Sequence, residues 1–185
     1  MPKKRNSKSF EIALSGICCA FAVTFLALGI LSGWLLATGY FIGVIALMVP
    51  LSKEFYLGDF LAYIATCILT IIMGAAAKFW DIVPFVMFFG IHPLVNALLK
   101  KKNFNILLGL LIKVIWFDCT LIAGYYLVYG GLIGGTLLPE AVYDTINKYI
   151  FLLIFTVGSL IAVIYDFLII KCQQAMNLLI KRIIK

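Results

Sequence analysis

The stretch Phe88-Phe89-Gly90-Ile91-His92-Pro93-Leu94-Val95-Asn96-Ala97-Leu98-Leu99 places the only His of the chain, a Pro and an Asn inside an apolar run, and Lys100-Lys101-Lys102 closes it. Three adjacent ammonium groups do not enter hydrocarbon, so they mark where a membrane helix leaves the bilayer. Lys and Arg accumulate on cytoplasmic loops, which makes that exit a cytoplasmic one and sets the direction of every other segment.

The composition agrees with lipid as the solvent. The chain is 64% apolar and 12% charged, where soluble domains are roughly 45–50% apolar and about 25% charged. A length of 185 residues leaves room for about six helices and no separate soluble domain. One integral membrane domain over residues 1–185 is expected. The formal charge of +7 does not point to nucleic acid, because the cations flank apolar runs instead of lying along one face. They read as topology signals and as anchors for the headgroups of the lipid bilayer. Cys18, Cys19, Cys67, Cys119 and Cys172 lie in or beside apolar runs without a CxxC pair or metal-ligand neighbours, so they read as packing residues. No metal and no cofactor is expected. The first apolar run is too long for a signal peptide and reads as a retained span.

Taken in order, the expected spans cover about 10–31, 35–49, 55–77, 82–99, 105–129 and 148–171. Lys3, Lys4, Arg5 and Lys8 keep the N-terminus inside. Gly16, Ala20 and Thr24 recur at i, i+4, i+8 on the first span, a small-residue stripe that lets another backbone approach closely. Packing within the same chain is the alternative use of that stripe. Ser32-Gly33-Trp34 forms an outer turn, and Pro50 stops the second span before the inner turn with Lys53 and Glu54. The third span carries Asp59 near its inner end and Gly74-Ala75-Ala76-Ala77 at its outer end. Lys78-Phe79-Trp80-Asp81 is the next outer turn. After the fifth span, residues 130–136 form a Gly-rich external connection. Pro139 and Glu140 suit the first turn of a new helix, which predicts a lateral external segment to about 147 before the sixth span. Residues 173–185 space Met176, Leu179, Ile180 and Ile183 on one face, the pattern of an amphipathic helix lying on the inner leaflet. Lys171, Lys181, Arg182 and Lys185 then also lie inside. The expected fold is an all-α membrane protein with six transmembrane helices, both termini cytoplasmic, and a C-terminal interfacial helix.

Ionisable side chains inside a membrane are costly, so each one is a functional candidate. Asp118 is the deepest, and Lys113 lies five residues before it. His92 and Asn96 share a face at i,i+4, and Asp59 and Asp166 sit in the inner halves of their spans. If these faces converge, they form an inner polar cluster in which Asp118 or Asp166 neutralises Lys113. Such a cluster serves either as a proton or ion relay or as a structural lock that fixes helix register. Pro93 removes one backbone bond and frees the Phe89 carbonyl. No HExxH, GxSxG, P-loop or paired-carboxylate motif is present, so no enzymatic activity is expected. A protease built on Ser159, or on Asp118 and Asp166, lacks its flanking motifs. In the outer half, Trp34, Thr38, Tyr40, Lys78, Trp80, Thr120, Tyr125, Tyr126 and Tyr129 can wall a pocket for a small, mostly apolar ligand. The Trp residues also fit an interfacial belt.

Six spans, cytoplasmic termini, this length and the segment Ile12-Ala13-Leu14-Ser15-Gly16-Ile17-Cys18-Cys19-Ala20 resemble the substrate-binding S components of energy-coupling factor (ECF) vitamin transporters. The run Asp59-Phe60-Leu61-Ala62-Tyr63-Ile64-Ala65-Thr66 and residues 88–102 look like small membrane proteins related to them. The resemblance implies capture of a vitamin-like small molecule from outside. It also implies docking through Gly16 and Ala20, which match the family's small-xxx-small motif, to a transmembrane coupling subunit driven by two ATPases. The alternative is a membrane scaffold resembling the small rod-shape-determining proteins of the cell-wall elongation machinery, which binds other membrane proteins and transports nothing.

Overall fold

The computed structural model describes residues 8–73, 78–126 and 148–183, which are helical throughout apart from short turns, with no strand among them. Helix α1 is Lys8–Ser32, α2 Leu36–Leu51 and α3 Tyr56–Ile72; α4 is Phe79–Lys101, α5 Ile106–Tyr125 and α6 Lys148–Arg182. Of these, α1, α4, α5 and α6 are long and apolar enough to cross a membrane. The 16 and 17 residues of α2 and α3 make about 24–26 Å at 1.5 Å per residue, short of a core about 30 Å thick. Four expected features lie outside the described residues: the cluster at 74–77, Tyr129, the connection at 130–136, and the lateral segment at 139–147. So do Lys3, Lys4, Arg5 and Lys185.

The described residues fall into two compact units, one within Met1–Lys101 together with Ile169–Lys185, the other within Lys102–Leu168. In the first, α1 and α2 meet backbone to backbone. A Cβ on Gly29 would lie 3.2 Å from the Gly39 Cα, and one on Gly39 only 2.7 Å from the Phe25 carbonyl oxygen, so neither position takes a side chain without a shift. Gly33, at φ +68, makes the turn between them. Pro50 does not stop α2 as expected, for the helix continues to Leu51. Its carbonyl accepts from Lys53 N and Phe55 N at 3.0 and 3.1 Å and so closes the following turn, where Glu54 sits at φ 62. Leu26, Ile30, Val44, Met48, Ile82, Phe85 and Phe88 are at most 1% exposed and form the core of this unit.

Helix α4 is not a regular α-helix. It starts at Phe79, so the expected outer turn at 78–81 is already its first turn, and it contains a π-helical segment at Phe85–Phe89 before α-helix resumes at His92–Lys101. The Gly90 amide reaches back to the Phe85 carbonyl at 2.8 Å, which leaves the Val86 carbonyl without its usual donor. The Tyr63 hydroxyl donates to that carbonyl at 2.6 Å. One turn earlier, the Phe85 amide bonds Ile82, and the Tyr40 hydroxyl takes the Asp81 carbonyl. A Cβ at Gly90 would press on the Phe85 and Tyr63 rings at 2.6 and 2.8 Å, which is why this position holds a glycine.

The expected break between the sixth span and a separate surface helix is absent. Helix α6 runs 35 residues, with a π-helical segment at Ile154–Gly158 but no break near Lys171, about 52 Å at 1.5 Å per residue. No Gly or Pro lies between Ser159 and Ile183, and the two apolar patterns share one helical period, so nothing ends the helix near Lys171. Its last turns shelter Gln173, Met176, Asn177 and Ile180, while Leu179, expected on the apolar face, is 53% exposed. Gln173 Nε2 donates to Asn177 Oδ1 at 3.4 Å and lies 3.5 Å from the Met48 carbonyl.

Candidate functional site

The α5–α6 pair carries the most concentrated polar chemistry. On α6 the buried residues Ile154, Gly158, Ala162 and Asp166 recur four apart, so one narrow face with two small residues meets α5. A Cβ on Gly158 would lie 2.9 Å from Leu121 Cδ1 and 3.3 Å from Asp118 Oδ1, and the missing side chain lets the helices close. Lys113 Nζ bonds Asp166 Oδ1 at 2.5 Å with both side chains buried. Ser159 Oγ donates to Asp118 Oδ2 at 2.8 Å, and Asp118 is 4% exposed. Partners ascend α5 from 113 to 118 to 121 as they descend α6 from 166 to 159 to 158, the pairing of antiparallel helices.

Of the two carboxylates expected to neutralise Lys113, the ion pair is therefore with Asp166, while Asp118 takes the Ser159 hydroxyl. A low-dielectric interior makes a Lys–Asp contact this short strong, and the loss of hydration offsets much of that strength. The arrangement fixes the register of two helices at two levels. The two aspartates sit in different pairs, about one and a half turns apart along α5 and about two turns apart along α6. Asp59, His92 and Asn96 belong to the other unit. Asp59 and His92 are 2% and 0% exposed, Asn96 is half-buried, and the His92 ring centroid lies 4.9 Å from that of Phe88. Among the described residues no three His, Cys, Asp or Glu side chains are grouped to hold a metal ion.

The aromatic residues divide by what their polar atoms do. Tyr40 is buried against Phe85 and Phe89 with its hydroxyl on the Asp81 carbonyl. Lys78 Nζ donates to the Ile30 and Leu31 carbonyls at 3.1 and 3.3 Å and caps the C-terminal end of α1. Thr120 Oγ1 donates to the Trp116 carbonyl at 2.9 Å. Trp34 is 98% exposed and Thr38 is exposed, whereas Trp80 is half-buried edge-on to Phe79. Tyr125 and Tyr126 contact one another edge to face at 5.7 Å, the second 54% exposed.

The small-residue stripe of α1 is exposed and packs on no other element of its own unit among the described residues. Gly16, Ala20 and Thr24 are all exposed, and a Cβ on Gly16 would meet no heavy atom within 4 Å. Thr24 turns its hydroxyl back onto the Ala20 carbonyl at 2.9 Å, so the stripe is apolar and runs beside Ile17, Phe21 and Leu28, each more than half exposed. Where α1 meets α2, the small residues that pack within the chain are instead Gly29 and Gly39. Sequence reasoning passed over Ser159 as the Asp118 partner and Tyr63 as the donor to α4; a single hydroxyl in an apolar run carries no periodic signal.

Comparison of the chain with family models, with characterised proteins and with solved structures finds no match.

Proposed function

We propose that this chain is a six-span membrane protein, both termini cytoplasmic, that works as an S-component-like subunit and docks on a transmembrane coupling subunit through α1. The observation that carries this reading is the exposed Gly16–Ala20–Thr24 stripe on a membrane-length helix, which nothing else in its own unit covers among the described residues. Lipid offers helices no hydrophobic drive to associate, so close backbone approach over small residues is the main source of affinity between them. The small molecule enters from the outer end of the first unit, where Trp34 and Thr38 are exposed, and two ATPases bound to the coupling subunit supply the energy.

One observation favours the scaffold reading. Tyr40, Lys78 and Thr120 spend their polar atoms on backbone carbonyls, which leaves fewer groups to orient a ligand. A scaffold related to the rod-shape-determining proteins needs only the same exposed flank. Affinity capture of the tagged chain from its host in mild detergent separates the two. Recovery of a coupling subunit with two ATPases, lost in Gly16→Leu while the variant stays folded, is the expected result. Cell-wall synthesis proteins without ATPases would leave the scaffold, and capture unchanged by Gly16→Leu would remove α1 from either reading.

A further inference from the structure

We propose that the α1–α3 interface holds a hard, oxygen-ligated metal cation between Glu11, Ser15 and Asp59, which deepens neither reading above and is independent of both. Ser15 and Asp59 are 7% and 2% exposed, and Ser15 Oγ and Asp59 Oδ1 are both buried without a hydrogen-bond partner among the described residues. Gly58 brings the helices together here. A Cβ built on it would lie 2.5 Å from Ser15 Oγ and 3.2 Å from Glu11 Oε1, so both oxygens crowd one point of α3 immediately beside Asp59. Asp59 is on the buried face of α3, and Cys18, one turn along α1 from Ser15, is on the buried face of α1.

Ser15 and Glu11 thus bring two oxygens to one point of α3, and the buried carboxylate of Asp59 stands at the next position of that helix. Neither Glu11 nor Asp59 has an ion-pair partner among the described residues. A carboxylate this deeply buried requires a compensating charge, and lone oxygens that no donor reaches are left with an unrecovered loss of hydration. A hydroxyl and two carboxylates are the ligands preferred by hard cations such as sodium, magnesium and calcium, not by thiophilic metals. Glu11 is half-buried and provides the way in, while Asp59 and Ser15 complete the dry side. The same interface holds Cys19 and Thr66 at 3.4 Å one level further along, so a cation at its start would clamp α1 to α3 where no other polar bond joins them among the described residues.

The test uses the purified full chain in choline chloride at constant ionic strength and follows thermal unfolding by Trp fluorescence as sodium, magnesium or calcium replaces choline. A cation that binds only the folded state at about ten times its Kd raises Tm by about 3–6 °C for a chain of this size. The rise is expected with at least one of the three, and which one responds distinguishes a monovalent from a divalent site. Asp59→Asn and Ser15→Ala should each abolish it, and Glu11→Gln weaken it; Ser15→Ala serves where Asp59→Asn does not fold. Three results would overturn the site. One is a Tm indifferent to all three cations, the second a rise that persists unchanged in Ser15→Ala, and the third stabilisation by acid alone, which would mean that Asp59 is protonated.

Discussion

Lys113 and Asp166 show what a single pair of residues demands in this chain. Both are buried and 2.5 Å apart, so removing one leaves the other charged and dry. Asp166→Asn should cost about 3–5 kcal/mol. The double variant Lys113→Met, Asp166→Leu should recover most of that loss, because an apolar pair of similar volume carries no charge to desolvate. Denaturant unfolding of the four proteins gives the coupling energy directly, and a cycle that closes near zero would show that the pair does not lock α5 to α6. That Lys113 needed a neutralising partner was readable from its place in an apolar run. Its identity was not: Asp118, five residues away, and Asp166, on another helix, are equally good partners until the antiparallel pairing brings 166 opposite 113.

At the scale of an element, helix periodicity announced every helix that the described residues contain but not the irregularities within them. Pro93 was visible as a missing donor, yet the departure from α-geometry lies upstream, between Pro84 and Gly90, where ring packing around Gly90 selects a π segment. The same blindness hid the continuity of α6, since amphipathic and spanning patterns repeat at one period and only a Gly or Pro would have separated them. The Tyr63 hydroxyl is the testable part of this geometry. Tyr63→Phe keeps the ring that packs on Phe85 and removes only the donor to Val86, leaving a buried carbonyl unpaired at a cost of about 1–3 kcal/mol. Hydrogen exchange should rise at the amides of Phe89 and Gly90 while those of α1 stay protected. Faster exchange spread evenly over the unit would instead mean that the bond contributes to global stability and not to the π turn.

For the whole molecule, α2 and α3 set how many helices cross the bilayer. Length and composition argued for six, and four described helices have the length to do so unaided. The two short helices decide the matter, because α2 and α3 either both cross or both stay on one side; a single crossing would reverse every later segment. Their apolar length falls about 4–6 Å below a typical core, a mismatch that local thinning and flanking residues absorb at a fraction of a kcal/mol per Å. Trp34 at one end of α2, together with Lys53 and Glu54 beyond the other, supplies those flanks. Crossing is therefore the cheaper arrangement, since burying α2 and α3 on one side would still place exposed Leu57, Leu61, Ile68 and Ile72 against water or headgroups. In a background without the native cysteines, Trp34→Cys and Ser52→Cys should react with a membrane-impermeant thiol reagent from opposite faces of intact cells and inverted vesicles, with Asn103→Cys labelled from the same face as Ser52→Cys. Labelling of Trp34→Cys and Ser52→Cys from one face would make α2 and α3 a re-entrant pair and leave α1 entering and α4 returning as the only crossings before α5. The stripe on α1 would still face lipid, but the exposed aromatic end of α2 would no longer lie where a ligand from outside arrives.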